Sequence, residues 1–380
     1  MIAVAVGTGV GINSLISRRL GAGQRDEAGR AASNGLLLML LSALVFVLFG
    51  VFGAGPFIRA FTQDADIVEM GVTYLSICCT FCVGTFVQIF CERVMQSQGK
   101  NFYSMLMQLI GAVFNIIFDP ILIFGLLGFP KLGIAGAAIA TVGGQILAMV
   151  FSLIMVFSKR SEVRVRVRGF RPEKRIIRDI YQVGLPSVVM QAIGTVMNLC
   201  MNAILIAFTD TAVAVFGVYF KVQSFALMPL IGMCNAAMSI MAYNYGARKK
   251  ERLMRCWRLA ARAGTIMMIL FTLLFVLLPD EILSLFNASP EMLRIGRAAL
   301  TIMPLALPLA AVNISISVTF QAVGNGLYSM FMSLARQLFV LVPAAYLLAR
   351  ITGEVTSVWW SFPIAELAAL LLSIVLFQRT

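Results

Sequence analysis

The chain has 380 residues, of which 60% are hydrophobic and 12% charged, with a mean hydropathy of +0.92. Soluble globular domains carry roughly 45–50% apolar and about 25% charged residues, so a soluble domain, a disordered chain and a disulfide-framed secreted module are excluded. Histidine is absent, which removes histidine triads and histidine-ligated metals and leaves an all-α polytopic membrane protein.

A bilayer-spanning helix needs about 20 mostly apolar residues. Residues 1–16 form a first apolar piece, too short to span alone. It lacks the basic start of a signal peptide, and Arg18 and Arg19 follow where a small-residue cleavage site belongs. Ten spans are then predicted, near 31–53, 69–91, 103–126, 133–157, 183–208, 212–240, 259–279, 293–318, 328–349 and 355–377.

The charges orient these spans. Alternate loops at 17–30, 91–101, 158–180, 246–262 and the C-terminus hold 23 of the 30 Lys and Arg, and the opposite loops hold 5. The positive-inside rule makes the first set cytoplasmic, including the linker and the C-terminus. The net charge of +13 is then an orientation signal, and no nucleic-acid partner is expected. The segment 158–180 is too charged to enter lipid. Its Arg164, Arg166 and Arg168 alternate with valines, as in a short surface ribbon or an amphipathic stretch beside anionic headgroups. The seven cysteines lie mostly in apolar spans. The Cys79-x-x-Cys82 pair has no second pair, so core packing is expected and a metal site is not.

A single offset of 225 residues aligns two halves without gaps. Ser14 falls on Ser239, Arg30 on Arg255, Gly71 on Gly296 and Gln96 on Gln321. In the best window, Gly99–Met107 against Gly324–Met332, five of nine positions are identical. This predicts an incomplete first helical repeat at 1–157, a basic cytoplasmic linker at 158–180 and a complete second repeat at 181–380. Residues 181–225 have no counterpart, so the first repeat reads as lacking about one and a half helices of a six-plus-six parallel duplication.

Ionisable residues inside a membrane are costly and rare, so each is a functional candidate. Five qualify: Glu92, Asp119, Lys221, Arg336 and Glu366. Asp119 lies about 16 residues into its span, roughly 24 Å along a helix. Asn115 at i−4 shares its face, and Pro120 loosens the local hydrogen-bond ladder. The offset sets Asn115 and Asp119 against Val340 and Ala344, and Thr141 against Glu366, so the halves are not equivalent. Lys221 and Glu366 sit at matching depths, which predicts a second polar site with a buried pair, with Arg336 as its third candidate. Asn198 and Asn202 are again spaced i, i+4; they either line a cavity or hydrogen-bond across helices. Glu92, near a cytoplasmic end, is expected to snorkel to water. Among the 22 methionines, Met190, Met197, Met201 and Met228 are candidates for contact with hydrophobic molecules. No Walker lysine pattern is present, so ATP-driven transport is unsupported.

Ser14–Ala28 (SLISRRLGAGQRDEA) resembles the first-half motif of the multidrug and toxic compound extrusion (MATE) family. Asn115–Gly125 (NIIFDPILIFG) with Leu132–Gln145 (LGIAGAAIATVGGQ) resembles its fifth and sixth helices. Tyr243–Arg248 (YNYGAR) and Gly184-Leu185-Pro186 resemble the bacterial drug-exporter branch. The resemblance implies a V-shaped antiporter in the bacterial inner membrane, not an enzyme. It would expel small amphipathic or cationic compounds in exchange for H+ or Na+, as a monomer in contact with lipid and with no cofactor beyond the coupling ion. It also implies that Tyr74 and Thr141 neighbour Asp119 and Asn115 in a cation-coupling set. Asn198, Asn202, Gln191, Lys221, Glu366, Met197 and Met201 are the substrate-cavity candidates. The alternative is a lipid-linked oligosaccharide flippase of the same superfamily, which would favour several deep cations where this chain has Lys221 and Arg336.

Overall fold

A computed structural model describes residues 1–158, 161–166 and 171–378. They group into two compact units, Met1–Leu185 and Pro186–Thr380. The first holds α1 (Ile2–Gly21), α2 (Arg25–Leu48), α3 (Ala54–Arg59), α4 (Ala65–Thr80), α5 (Val83–Ser97), α6 (Asn101–Phe124), α7 (Gly133–Phe157) and the start of α8 (Lys174–Leu205). The second holds the rest of α8, then α9 (Asp210–Gly246), α10 (Lys250–Leu277), α11 (Pro279–Ser284), α12 (Pro290–Ile302), α13 (Leu307–Val323), α14 (Gly326–Leu334), α15 (Val342–Thr352), α16 (Val355–Val358) and α17 (Ser361–Gln378).

Among the described residues, nine helices are long and apolar enough to cross a membrane. They correspond to nine of the ten predicted spans. The tenth, predicted at 69–91, is instead the pair α4 and α5, bent by 47° at the break between Thr80 and Val83. The leading apolar piece, 1–16, grows into the 20-residue α1 by taking in Ser17 to Gly21. Every residue from Gly7 to Ser17 is buried, so this helix packs inside its unit against α2 and α5.

Capping follows the local sequence. The Asp64 carboxylate accepts from the backbone N–H groups of Asp66 and Ile67 at 3.0 and 3.3 Å and starts α4. Thr209 and Ser289 do the same for α9 and α12. Each cap satisfies donors that the first turn leaves without a helical partner. Two π-helical stretches interrupt the α geometry, Phe49–Gly53 after α2 and Ala335–Leu341 between α14 and α15.

Each unit has its own apolar core. Ile12, Ile16, Phe86 and Phe90 anchor the first. In the second, Phe216 stacks on Trp359 with centroids 6.4 Å apart, and Tyr219 packs edge-on against Phe362 at 6.2 Å. Outside these cores the long helices present Ile, Leu and Phe outward; Ile116 on α6 is 74% exposed. That is the surface a helix offers to lipid, where only internally hydrogen-bonded backbone is tolerated.

Candidate functional site

In the first unit, α6 carries Asn115 and Asp119 one helical turn apart. The two helices α6 and α7 pack closely because α7 places glycine at the contact. A Cβ on Gly144 would stand 2.6 Å from Asn115 Oδ1 and 3.0 Å from the Gly111 carbonyl oxygen. Thr141 lies one turn before Gly144. From α4, the Tyr74 hydroxyl lies close to the Thr141 and Cys78 side chains and within electrostatic range of Asp119. The four residues predicted for ion coupling therefore converge from α4, α6 and α7.

The Oδ1 atoms of Asn115 and Asp119 are both buried and have no hydrogen-bond partner. Buried polar atoms are nearly always satisfied, so two orphaned oxygens on one helix face are informative. Among the described residues no Lys or Arg forms an ion pair with Asp119. Pro120 also lacks the N–H that would bond the Ile116 carbonyl. The result is a group of oxygen atoms in which two buried acceptors stand unsatisfied, suited to a proton or a small hard cation.

The second unit treats its acid differently. Arg336 Nη1 donates to Glu366 Oε1 at 2.9 Å. Asn313 Nδ2 donates to Glu366 Oε2 at 2.7 Å and to the Glu366 carbonyl at 3.0 Å. Ser373 Oγ donates to Asn313 Oδ1 at 3.0 Å, which sets the amide orientation. Arg336 and Glu366 keep 23% and 13% of their side-chain surface. Arg336 reaches this position from the π-helical stretch, a geometry frequent at functional sites. Tyr219 is fully buried within electrostatic range of Glu366, and its hydroxyl has no partner.

Lys221 is not part of this cluster. The predicted pairing with Glu366 is corrected: Lys221 is exposed, and Arg336 holds the carboxylate. Equal depth along two helices says nothing about which way each side chain faces. The α8 candidates separate. Gln191 is exposed, Asn198 donates to the Gly194 carbonyl of its own helix at 3.0 Å, and Asn202 is half-buried. Met197 and Met201 are buried in the second unit's core.

The expectation that Glu92 snorkels is also corrected. It is 5% exposed and accepts from Gln96 Nε2 and Gln108 Nε2, each at 2.8 Å. Arg93 Nη1 donates to Gln96 Oε1 at 3.0 Å, so the acid sits in a closed amide network inside the unit. The i, i+4 spacing of Glu92 and Gln96 was the signal for it. Asn313, the other residue missed, had only its polarity in an apolar span.

Comparison with known proteins gives this geometry a family. The MatE family profile matches residues 1–121 and 186–347. The multidrug export protein MepA of Staphylococcus haemolyticus is 26% identical over 360 residues, covering 94% of this chain and 78% of that protein. MepA of Staphylococcus aureus NCTC 8325 is 25% identical over 377 residues, with 98% and 82% covered. A multidrug resistance MATE transporter of the MOP superfamily, solved in an outward-facing conformation, superposes with a TM-score of 0.95 at 26% identity, covering 100% of this chain and 84% of that one. A MOP superfamily transporter from Pyrococcus furiosus, described as having a binding pocket of reverse polarity, gives 0.94 at 26% identity. With its profile matched over more than half its length and its all-helical fold matched throughout, the chain belongs to the MatE family of transporters, which are not enzymes.

Proposed function

We propose that the chain is a secondary antiporter of the bacterial plasma membrane that exports small amphipathic or cationic compounds in exchange for H+ or Na+. The family and the export function named for the MepA relatives support the substrate class. The observation that carries the coupling site is the pair of buried, partnerless oxygens on Asn115 and Asp119.

In this reading Asp119 takes the ion. Asn115 Oδ1 shares it, and Tyr74 and Thr141 supply hydroxyl oxygens. Filling the site relieves two unsatisfied buried acceptors, each costing on the order of 1–3 kcal/mol. Ion binding therefore favours the conformation in which these atoms converge. Pro120 gives α6 a place to bend, and repeats 1–157 and 181–380 alternate access to substrate from the two sides of the membrane. The linker 158–180 and the C-terminus lie in the cytoplasm, a monomer suffices, and no cofactor other than the coupling ion is needed.

The test is efflux of a fluorescent cationic dye from vesicles holding the purified chain under an imposed proton or sodium gradient. Gradient-driven transport is expected from the parent chain and not from Asp119→Asn. A variant that pumps normally places the coupling site elsewhere.

A further inference from the structure

The linker does more than connect. Its residues 161–166 are not helical, and their alternation is put to use. Val163 is 1% exposed and Val165 packs on the first unit's core, while Arg164 and Arg166 are exposed. Backbone contacts strap it over α2. The Arg166 N–H donates to Ser33 Oγ at 2.9 Å, and the Glu173 N–H donates to Asn34 Oδ1 at 3.0 Å. The strap passes so close that a Cβ on Gly29 would stand 2.8 Å from the Arg164 carbonyl oxygen. Between strap and helix lies a cavity of about 830 Å3 whose wall includes Arg25, Arg30, Arg164, Arg166 and Arg171.

The acids in this wall do not cancel those cations. Glu162 is held by Arg25 at 3.7 Å and by Lys100 at 3.5 Å, and Glu173 by Arg30 at 3.4 Å. Asp26 remains. Among the described residues, none of Arg164, Arg166 and Arg171 has an acidic ion-pair partner. Three of the arginines lining the cavity thus carry a charge that no acid neutralises, against one carboxylate, Asp26, among the described residues. Guanidinium forks match phosphate oxygens in a bidentate manner. The cavity lies at the end of α2 that the charge distribution assigns to the cytoplasmic face, where anionic headgroups gather.

We infer that this arginine cavity is a binding site for the phosphate of an anionic phospholipid headgroup. It is separate from the transport reading and needs only the membrane orientation. Ser33 and Asn34 hold the described linker residues Arg166 and Glu173 on α2, and Val163 is buried.

Native mass spectrometry of the full chain, released from detergent with phosphatidylglycerol or phosphatidylcholine, tests the inference. The parent chain is expected to retain phosphatidylglycerol in preference to phosphatidylcholine. The triple variant R164Q/R166Q/R171Q should lose affinity by on the order of a hundredfold, about fivefold per arginine. These side chains are exposed, so the fold should survive, and R164Q alone should give an intermediate loss. A control triple, K249Q/K250Q/R252Q, removes equally exposed cations from the second unit and should retain the lipid. Equal loss in both triples, full retention by the cavity triple, or tight binding of inorganic phosphate without phosphatidylglycerol would each overturn it.

Discussion

Asp119 and Glu366 are acids set in the long apolar helices α6 and α17, one in each unit, and they are solvated in opposite ways. Asp119 lies within electrostatic range of the Tyr74 hydroxyl, and its Oδ1 has no partner. Glu366 has a guanidinium on one oxygen and an amide on the other. A buried acid left short of donors is ready to take up a proton or a cation. One already matched has nothing to gain from either. On the proposed function, the two units separate two uses of a carboxylate in lipid, one that responds and one that holds helices together.

The largest effect that sharpens this contrast is at Asp119. Asp119→Asn should reduce gradient-driven dye efflux to the vesicle background while leaving the melting temperature in detergent close to that of the parent. Glu366→Gln should do the reverse in kind. It strands Arg336 and should lower stability by about 3 kcal/mol, read as a fall in melting temperature. The contrast between the two acids fails if Glu366→Gln abolishes coupling at unchanged stability. Gly144→Ala comes next. Its new methyl collides with Asn115 Oδ1, at a cost of about 1–3 kcal/mol, and should weaken the dependence of efflux on the imposed gradient. The smallest effect belongs to Tyr219→Phe. Removing a buried hydroxyl that bonds to nothing should change stability by less than about 1 kcal/mol, neutrally or favourably.

The reach of the sequence varied with the kind of information required. Nine spans were legible because about 20 apolar residues in a row have few alternatives. The bend between Thr80 and Val83 was not, since nothing in an unbroken apolar run marks where a helix turns against its neighbours. The convergence of Asn115 and Asp119 on one face was readable from their spacing, and the resemblance supplied Tyr74 and Thr141. Lys221 went astray because hydropathy gives depth and not azimuth. Arg336 was harder still, because the π-helical turns that direct it leave no clear compositional mark. In the linker the valine alternation foretold an exposed face. The strap itself depends on Ser33 and Asn34 of α2, more than 100 residues away in the chain.

That π-helical stretch has a consequence for how the two halves can be interchanged. Ala335–Leu341 corresponds, at the 225-residue offset, to residues 110–116 of the regular helix α6. A π turn takes up roughly one residue more than an α turn. After seven residues, positions further along lag their counterparts by on the order of a quarter turn. Ala344 thus occupies the sequence place of Asp119 without its bearing. Grafting V340N and A344D into the second half would therefore place the new amide and carboxylate at a different bearing from that of Asn115 and Asp119 on α6, so exchanging these side chains alone should not transfer the proposed coupling site.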